Sequence, residues 1–398
     1  MTRKIKVFVI AISIVLILIG LFAGISVSIT FGEKSEQKAY VEDFDYMCNV
    51  IESEFIFLPL LAGEGIDYEA VKSATRVEIE SQDMTIEQFY SCINNMLSNG
   101  LESKAHITVL SPKTYEEIVA CEDEYSSEEY METFHSKQTE ETYKNLLSSD
   151  DFRNVKGDSH PYEVCGRYVE EYHTVIFYVP SFVDSDLVFD DNTVEDYLEG
   201  LGEKPIDHIV FDITGNKGGY CNCWMENIVA PFGGKYEWDQ ELYFRESDIL
   251  RNHLLGNCSL DSKEEVHGVL PGIGIDSVIE EKYEICATPE KYQNAKRWVL
   301  VDEDVFSAAD AFTAFCKNTG WATVVGRKTA GDGSAKRIAV GLPNTGLIIA
   351  FSVMTTLNDK GDGNVVCGTN PDILAKPKEE PLQTFYRYIN TNKAKEVR

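Results

Sequence analysis

The order of apolar and polar positions gives successive stretches of the chain different characters. Val7 to Phe31 is an uncharged, mostly apolar run, with Arg3, Lys4 and Lys6 before it and Glu33 and Lys34 after it. At about 1.5 Å per residue this run outspans the ~30 Å hydrocarbon core of a bilayer, so residues 1–32 are expected to form a membrane anchor. A secretory leader has a shorter apolar segment; Gly24, Ser26 and Ser28 imitate its cleavage site, and an uncleaved anchor is favoured over a cleaved signal. The positive flank stays inside, which puts everything after it outside the cytoplasm.

Between residues 33 and 114 the apolar period is helical. Phe44, Met47, Cys48, Ile51 and Phe55 recur at spacings of three and four, and Thr85 with Ile86, Phe89, Ile93 and Met96 opens a second helix. Ile107 to Leu110 reads as a short strand. From 115 to 164 the chain is acidic and rich in Ser, Glu and Tyr, which predicts a solvated helical insertion bordering a cleft. After residue 165 the pattern changes again. Thr174–Val179, His208–Asp212 and Trp298–Val301 are β-branched and aromatic runs, each followed by turn residues and a helical period. Strands alternating with helices predict an α/β core over 165–398 with a largely parallel sheet, to which Ile348–Val353 adds a strand of the same kind.

Composition changes this picture in two ways. With 36 Lys and Arg against 66 Asp and Glu the net charge is −30, which repels phosphate backbones and disfavours nucleic acid as a partner. The ten cysteines permit disulfides in an exported chain, but no C-x-x-C pair occurs. Cys221 and Cys223 have no nearby histidine, so a structural zinc site is not expected.

Three segments have more than structural content. Asp212-Ile-Thr-Gly-Asn-Lys-Gly218-Gly219-Tyr220 is a glycine-rich turn after an apolar strand. Such a turn presents backbone N–H groups to an anion, either a phosphate or the oxyanion of acyl transfer, although many turns of this kind hold nothing. It is not a P-loop, because no Gly-Lys-Ser/Thr follows. Phe306-Ser307-Ala308-Ala309-Asp310 places a serine before an Ala-rich helix, where a serine is most often a helix cap but is also exposed to the helix dipole. His106 leads into the Ile107 strand, a position that taken alone suits a surface or core histidine.

Together these segments resemble a family. The strand and glycine-rich turn, Phe306-Ser-Ala-Ala-Asp-Ala-Phe312, Gly326-Arg-Lys-Thr-Ala-Gly331-Asp-Gly333, Leu342-Pro-Asn-Thr-Gly346 and Gly368-Thr-Asn-Pro-Asp372 follow in the order found in C-terminal processing (tail-specific) and tricorn-core serine peptidases. The likeness covers about residues 165–375 and the strand after His106, and is similar to the exported bacterial branch. It implies a ClpP/crotonase-like layered α/β sheet, a peptide or protein substrate and no cofactor. It also implies that Ser307 is the nucleophile, that Ala308 with Gly218 or Gly219 forms the oxyanion hole, and that His106 is the base. Tail-specific members use a lysine twenty-five residues after the serine, where this chain has Asp332, which with Lys336 is a candidate auxiliary group.

Histidine-using members have a glutamate where this chain has Val365-Val-Cys367, so another acid must help the imidazole. Lys336 lies four residues beyond Asp332, on the same face of an extended segment, and could be a displaced lysine base or a surface lysine. The acidic stretch does not read as a peptide-binding domain. The leading expectation is an extracytoplasmic, membrane-anchored serine endopeptidase. The alternative is a catalytically inactive relative that binds peptides or a protein partner in the same cleft. A carbohydrate or lipid hydrolase would be expected to show a G-x-S-x-G elbow, and Ser307 lacks it.

Overall fold

The computed structural model describes residues 36–120, 128–149, 165–183, 193–255, 264–333 and 336–396. The expected anchor over 1–32 lies outside the described residues, among which no helix is long and apolar enough to cross a membrane. In chain order the strands are β1 (Thr108–Val109), β2 (Cys165–Val169), β3 (Thr174–Tyr178), β4 (His208–Asp212), β5 (Gly234–Phe244), β6 (Glu264–Glu265) and β7 (Ser277–Thr288). They continue with β8 (Lys296–Val301), β9 (Thr323–Gly326), β10 (Arg337–Gly341), β11 (Ile348–Ser352), β12 (Met354–Thr355) and β13 (Ile373–Leu374).

Strands β13, β9, β8, β4, β3 and β2 form one mixed sheet in that order; all neighbours run parallel except β2, which is antiparallel to β3 at the edge. Its two faces follow the two-residue period of a strand. Val175, Phe177, Ile209, Phe211, Val299 and Val301 enter one core, against Trp224, Phe232 and the helix Ala308–Thr319. Ile176, Val210, Trp298 and Leu300 face the other way, onto Phe385 and Ile389 of the helix Pro381–Glu396. Because both faces are covered, these strands read as unbroken apolar runs rather than alternating ones.

A second large core is built from the N-terminal helices and the antiparallel sheet β1–β11–β10. A helix over 36–54 buries Phe44, Met47 and Ile51, and the helix Ile86–Asn95 buries Phe89 and Ile93. The latter starts at Thr85, which exchanges side-chain and backbone bonds with Gln88 in a capping box.

Two expectations need correction. Ile348–Ser352 is not part of the parallel sheet: it pairs antiparallel with both β1 and β10. Every residue of β11 is buried, so the run carries no face alternation from which its partners could be read. The acidic stretch is helical where described, at Pro112–Ala120, Glu128–Phe134 and Lys137–Ser148, yet it is not solvated throughout. Phe134, Tyr143 and Leu146 are wholly buried in the N-terminal core, where each contributes about 1.5–3 kcal/mol of apolar burial. Tyr143 Oη donates to Leu110 O at 3.1 Å and accepts from Ile348 N at 3.1 Å, tying these helices to β11. Cys48, Cys92, Cys165, Cys221, Cys316 and Cys367 are free thiols.

Candidate active site

The glycine-rich turn is shaped by one buried side chain. Asn216 donates from Nδ2 to Val179 O at 2.9 Å and accepts from Gly218 N at 2.8 Å, while its carbonyl accepts from Phe306 N at 3.1 Å. These bonds press the turn onto the start of the next helix. A Cβ on Gly218 (φ +96°) would lie 2.7 Å from Phe306 O and 2.8 Å from Ser307 Cβ; one on Gly219 (φ +140°) would lie 2.2 Å from the Phe182 backbone. Only glycine fits at either position. Since Gly218 N–H is spent on Asn216, the N–H groups of Gly219 and Ala308 are the ones without an acceptor among the described residues.

Ser307 precedes the helix Ala308–Thr319 but makes no side-chain cap bond. Its backbone is held by Gly331 O, which accepts from Ser307 N at 2.9 Å, at φ +57° and ψ −127°. The hydroxyl lies 2.9 Å from His106 Nε2. The other ring nitrogen of His106, Nδ1, is hydrogen-bonded to Asp332 Oδ2. That carboxylate is fully buried and also accepts from Ser352 Oγ, 2.9 Å from Oδ2. The imidazole packs against the Phe306 ring, with centroids 4.5 Å apart, and is 16% exposed. The three side chains thus run from an accessible hydroxyl to a sealed carboxylate.

Ser307, His106 and Asp332 all sit at positive φ, +57°, +52° and +60°, although none is glycine. Such backbone costs about 1–3 kcal/mol per residue and persists only where surrounding contacts enforce it. Around Asp332 those contacts are buried. Asp332 N donates to Asn364 O at 3.3 Å, and Thr329 Oγ1 donates to Asp310 Oδ1 at 2.5 Å. Gly333 N donates to Asp310 Oδ2 at 3.1 Å, so the loop bearing Asp332 is fastened to the helix that follows Ser307. Burial pushes the Asp310 carboxyl above its ordinary value, against the opposing pull of bonds from Thr329, Thr369, Asn364 and Gly333.

The remaining candidates fall elsewhere. Lys336 does not share the face of Asp332: its Nζ pairs with Glu281 at 2.6 Å, and neither ring nitrogen of His106 contacts it. Val365 and Val366, at the position of the family's glutamate, are buried in the N-terminal core.

Comparison with known proteins gives a family. Residues 178–375 match the model of peptidase family S41. The chain carries an S41 peptidase domain. The family is one of serine peptidases, whose class of substrate is peptides or proteins. The S41 match contains Ser307, Asp332 and both glycines, whereas His106 lies outside it. No curated protein matches the sequence.

Among solved structures, a proposed peptidase from Parabacteroides merdae is similar over 88% of this chain and 95% of its own, at 16% identity and TM-score 0.49. A lipoprotein from Streptococcus agalactiae is similar over 81% of this chain and 88% of its own, at 11% identity and TM-score 0.39. The photosystem II D1 C-terminal processing protease is similar over 52% and 43%, at 16% identity and TM-score 0.30. At these scores the likenesses carry no argument about activity.

Sequence reasoning named Asp332 only as an auxiliary group and took the supporting acid to be unidentified. A signal was present: Asp332 stands where the resemblance led one to look for a lysine, and its carboxylate meets His106 Nδ1. Ser352 and Asp310 were not singled out, because their roles depend on contacts across 20 and 19 residues of chain that no local motif announces.

Proposed function

We propose that this protein is a serine endopeptidase in which Ser307, His106 and Asp332 act as a triad. The observation that carries the proposal is the continuous hydrogen-bonded chain from Ser307 Oγ through both imidazole nitrogens to a buried carboxylate. His106 Nε2 takes the hydroxyl proton as Oγ attacks the peptide carbonyl, and Asp332 holds the Nδ1–H tautomer and balances the imidazolium that forms. The N–H groups of Gly219 and Ala308 receive the oxyanion, aided by the N-terminus of the helix Ala308–Thr319. The imidazolium then protonates the leaving amine, and water releases the acyl group by the reverse proton path.

Asp332 supplies the acid whose absence from the family's usual position motivated an inactive relative. The uncharged run from Val7 to Phe31 behind three positive residues supports a location outside the cytoplasm with a membrane anchor. The test is Ser307→Ala assayed on unfolded casein. Cleavage is expected to fall to background, and undiminished cleavage would rule out this nucleophile.

A further inference from the structure

The antiparallel sheet holds a buried hydroxyl to which the triad assigns no task. Ser352 is the last residue of β11, the middle strand, and is fully buried. Because β11 runs antiparallel to both neighbours, its end lies beside the beginnings of β1 and β10. Ser352 is paired directly with Arg337 at the start of β10, five residues after Asp332. On the other side Thr108, two residues after His106, is paired with Ala350, two residues before Ser352. The segments bearing imidazole and carboxylate therefore converge on this one residue.

Its Oγ lies 2.9 Å from Asp332 Oδ2 and 3.3 Å from Oδ1. Apart from His106, no other side chain among the described residues bonds the Asp332 carboxylate. A carboxylate sealed from water needs hydrogen-bond donors in place of its lost hydration, and with only one it is free to turn about its last torsion.

We propose that Ser352 is a positioning residue whose hydroxyl holds the Asp332 carboxylate aimed at His106 Nδ1. It acts on the reaction through Asp332 and touches neither substrate nor the reacting atoms, and the proposal rests on the triad reading above.

The test is a cycle of Ser352→Ala, Asp332→Asn and the double variant in the full chain, with a peptide substrate and thermal unfolding of each. Ser352→Ala is expected to lower kcat about ten- to a hundredfold, as for loss of a bond to a charged group, with KM within about twofold. Ser352→Thr, which keeps the hydroxyl, is expected to recover most of the loss. In the Asp332→Asn background the serine change is expected to add less than about twofold, because the two act as one unit. Should Ser352→Ala fail to fold, Ser352→Cys keeps the shape with a weaker donor and is expected to show the same kcat-selective loss.

Full kcat in a folded Ser352→Ala or Ser352→Cys protein, or an equal loss on top of Asp332→Asn, would overturn the proposal. If Asp332→Asn loses rate and Ser352→Ala does not, only the positioning role falls. If Ser307→Ala and Asp332→Asn both keep full rate, the triad falls as well.

Discussion

Around Ser307 the site is made of backbone, and around His106 it is made of side chains. On the parallel-sheet side, Asn216, Gly218, Gly219 and Ala308 arrange amide groups within one turn and one helix start, and the turn is tied by Asn216 to Val179, just past the end of β3. On the side of the antiparallel sheet, a histidine and a carboxylate 226 residues apart in the chain are brought together, beside a serine on β11. The first half is what oxyanion stabilisation requires, because amides in a rigid turn need no reorganisation when charge develops. The second half is what proton transfer requires, because only titratable side chains accept and return a proton. In the proposed triad mechanism each side therefore contributes one kind of chemistry, and neither suffices alone.

The largest effect is expected from breaking the side-chain half. His106→Ala should lower kcat/KM about 10⁴-fold or more, and Asp332→Asn about 10³–10⁴-fold, measured on a peptide substrate with folded protein. A loss under tenfold for either would dissolve the comparison. Breaking the backbone half comes next. Gly219→Ala places a Cβ against Phe182 and displaces the neighbouring N–H, so a loss of about 10²–10³-fold in kcat is expected, with the Ser307–His106 contact preserved.

A smaller effect concerns how the halves are joined. Burial raises the Asp310 carboxyl in the folded protein, so the stability it contributes is full below its unfolded value, near 3.9, and is lost as pH rises through the folded value. The stability of the wild type relative to Asp310→Asn should therefore decline from acid toward neutral pH, by about 1.4 kcal/mol per unit of elevation, as read by urea unfolding across that range. A difference independent of pH would remove Asp310 from the joint. The smallest effect is expected from Lys336→Met. Its partner is Glu281 rather than any triad member, so kcat should stay within about twofold and stability within about 1 kcal/mol. A large kcat loss would restore the lysine as a proton acceptor.

The same contrast explains what was legible in the sequence. The glycine turn and Ser307 could be read because their geometry is local: strand, turn and helix start lie within a few residues of each constraint. The parallel strands β3, β4 and β8 could be read for the same reason. Strand β11 could be recognised as a strand but not placed, since burial on both faces erases the alternation that would reveal its partners. Tyr143 and Leu146 carry a helical spacing of three, yet the acidic residues around them mask a face that is fully buried. Asp332 was visible as a departure from a lysine, but its partner is set by long-range pairing and by a positive φ that residue type does not advertise for Ser307, His106 or Asp332.

The most direct measurement of the central claim is the rate at which a fluorophosphonate labels the full chain, with the adduct located by peptide mass. A working triad gives a single adduct on Ser307 in the wild type and labelling about 100-fold slower or worse in folded His106→Ala. Equal labelling in that variant, or no adduct at all on the folded wild type, would contradict the account.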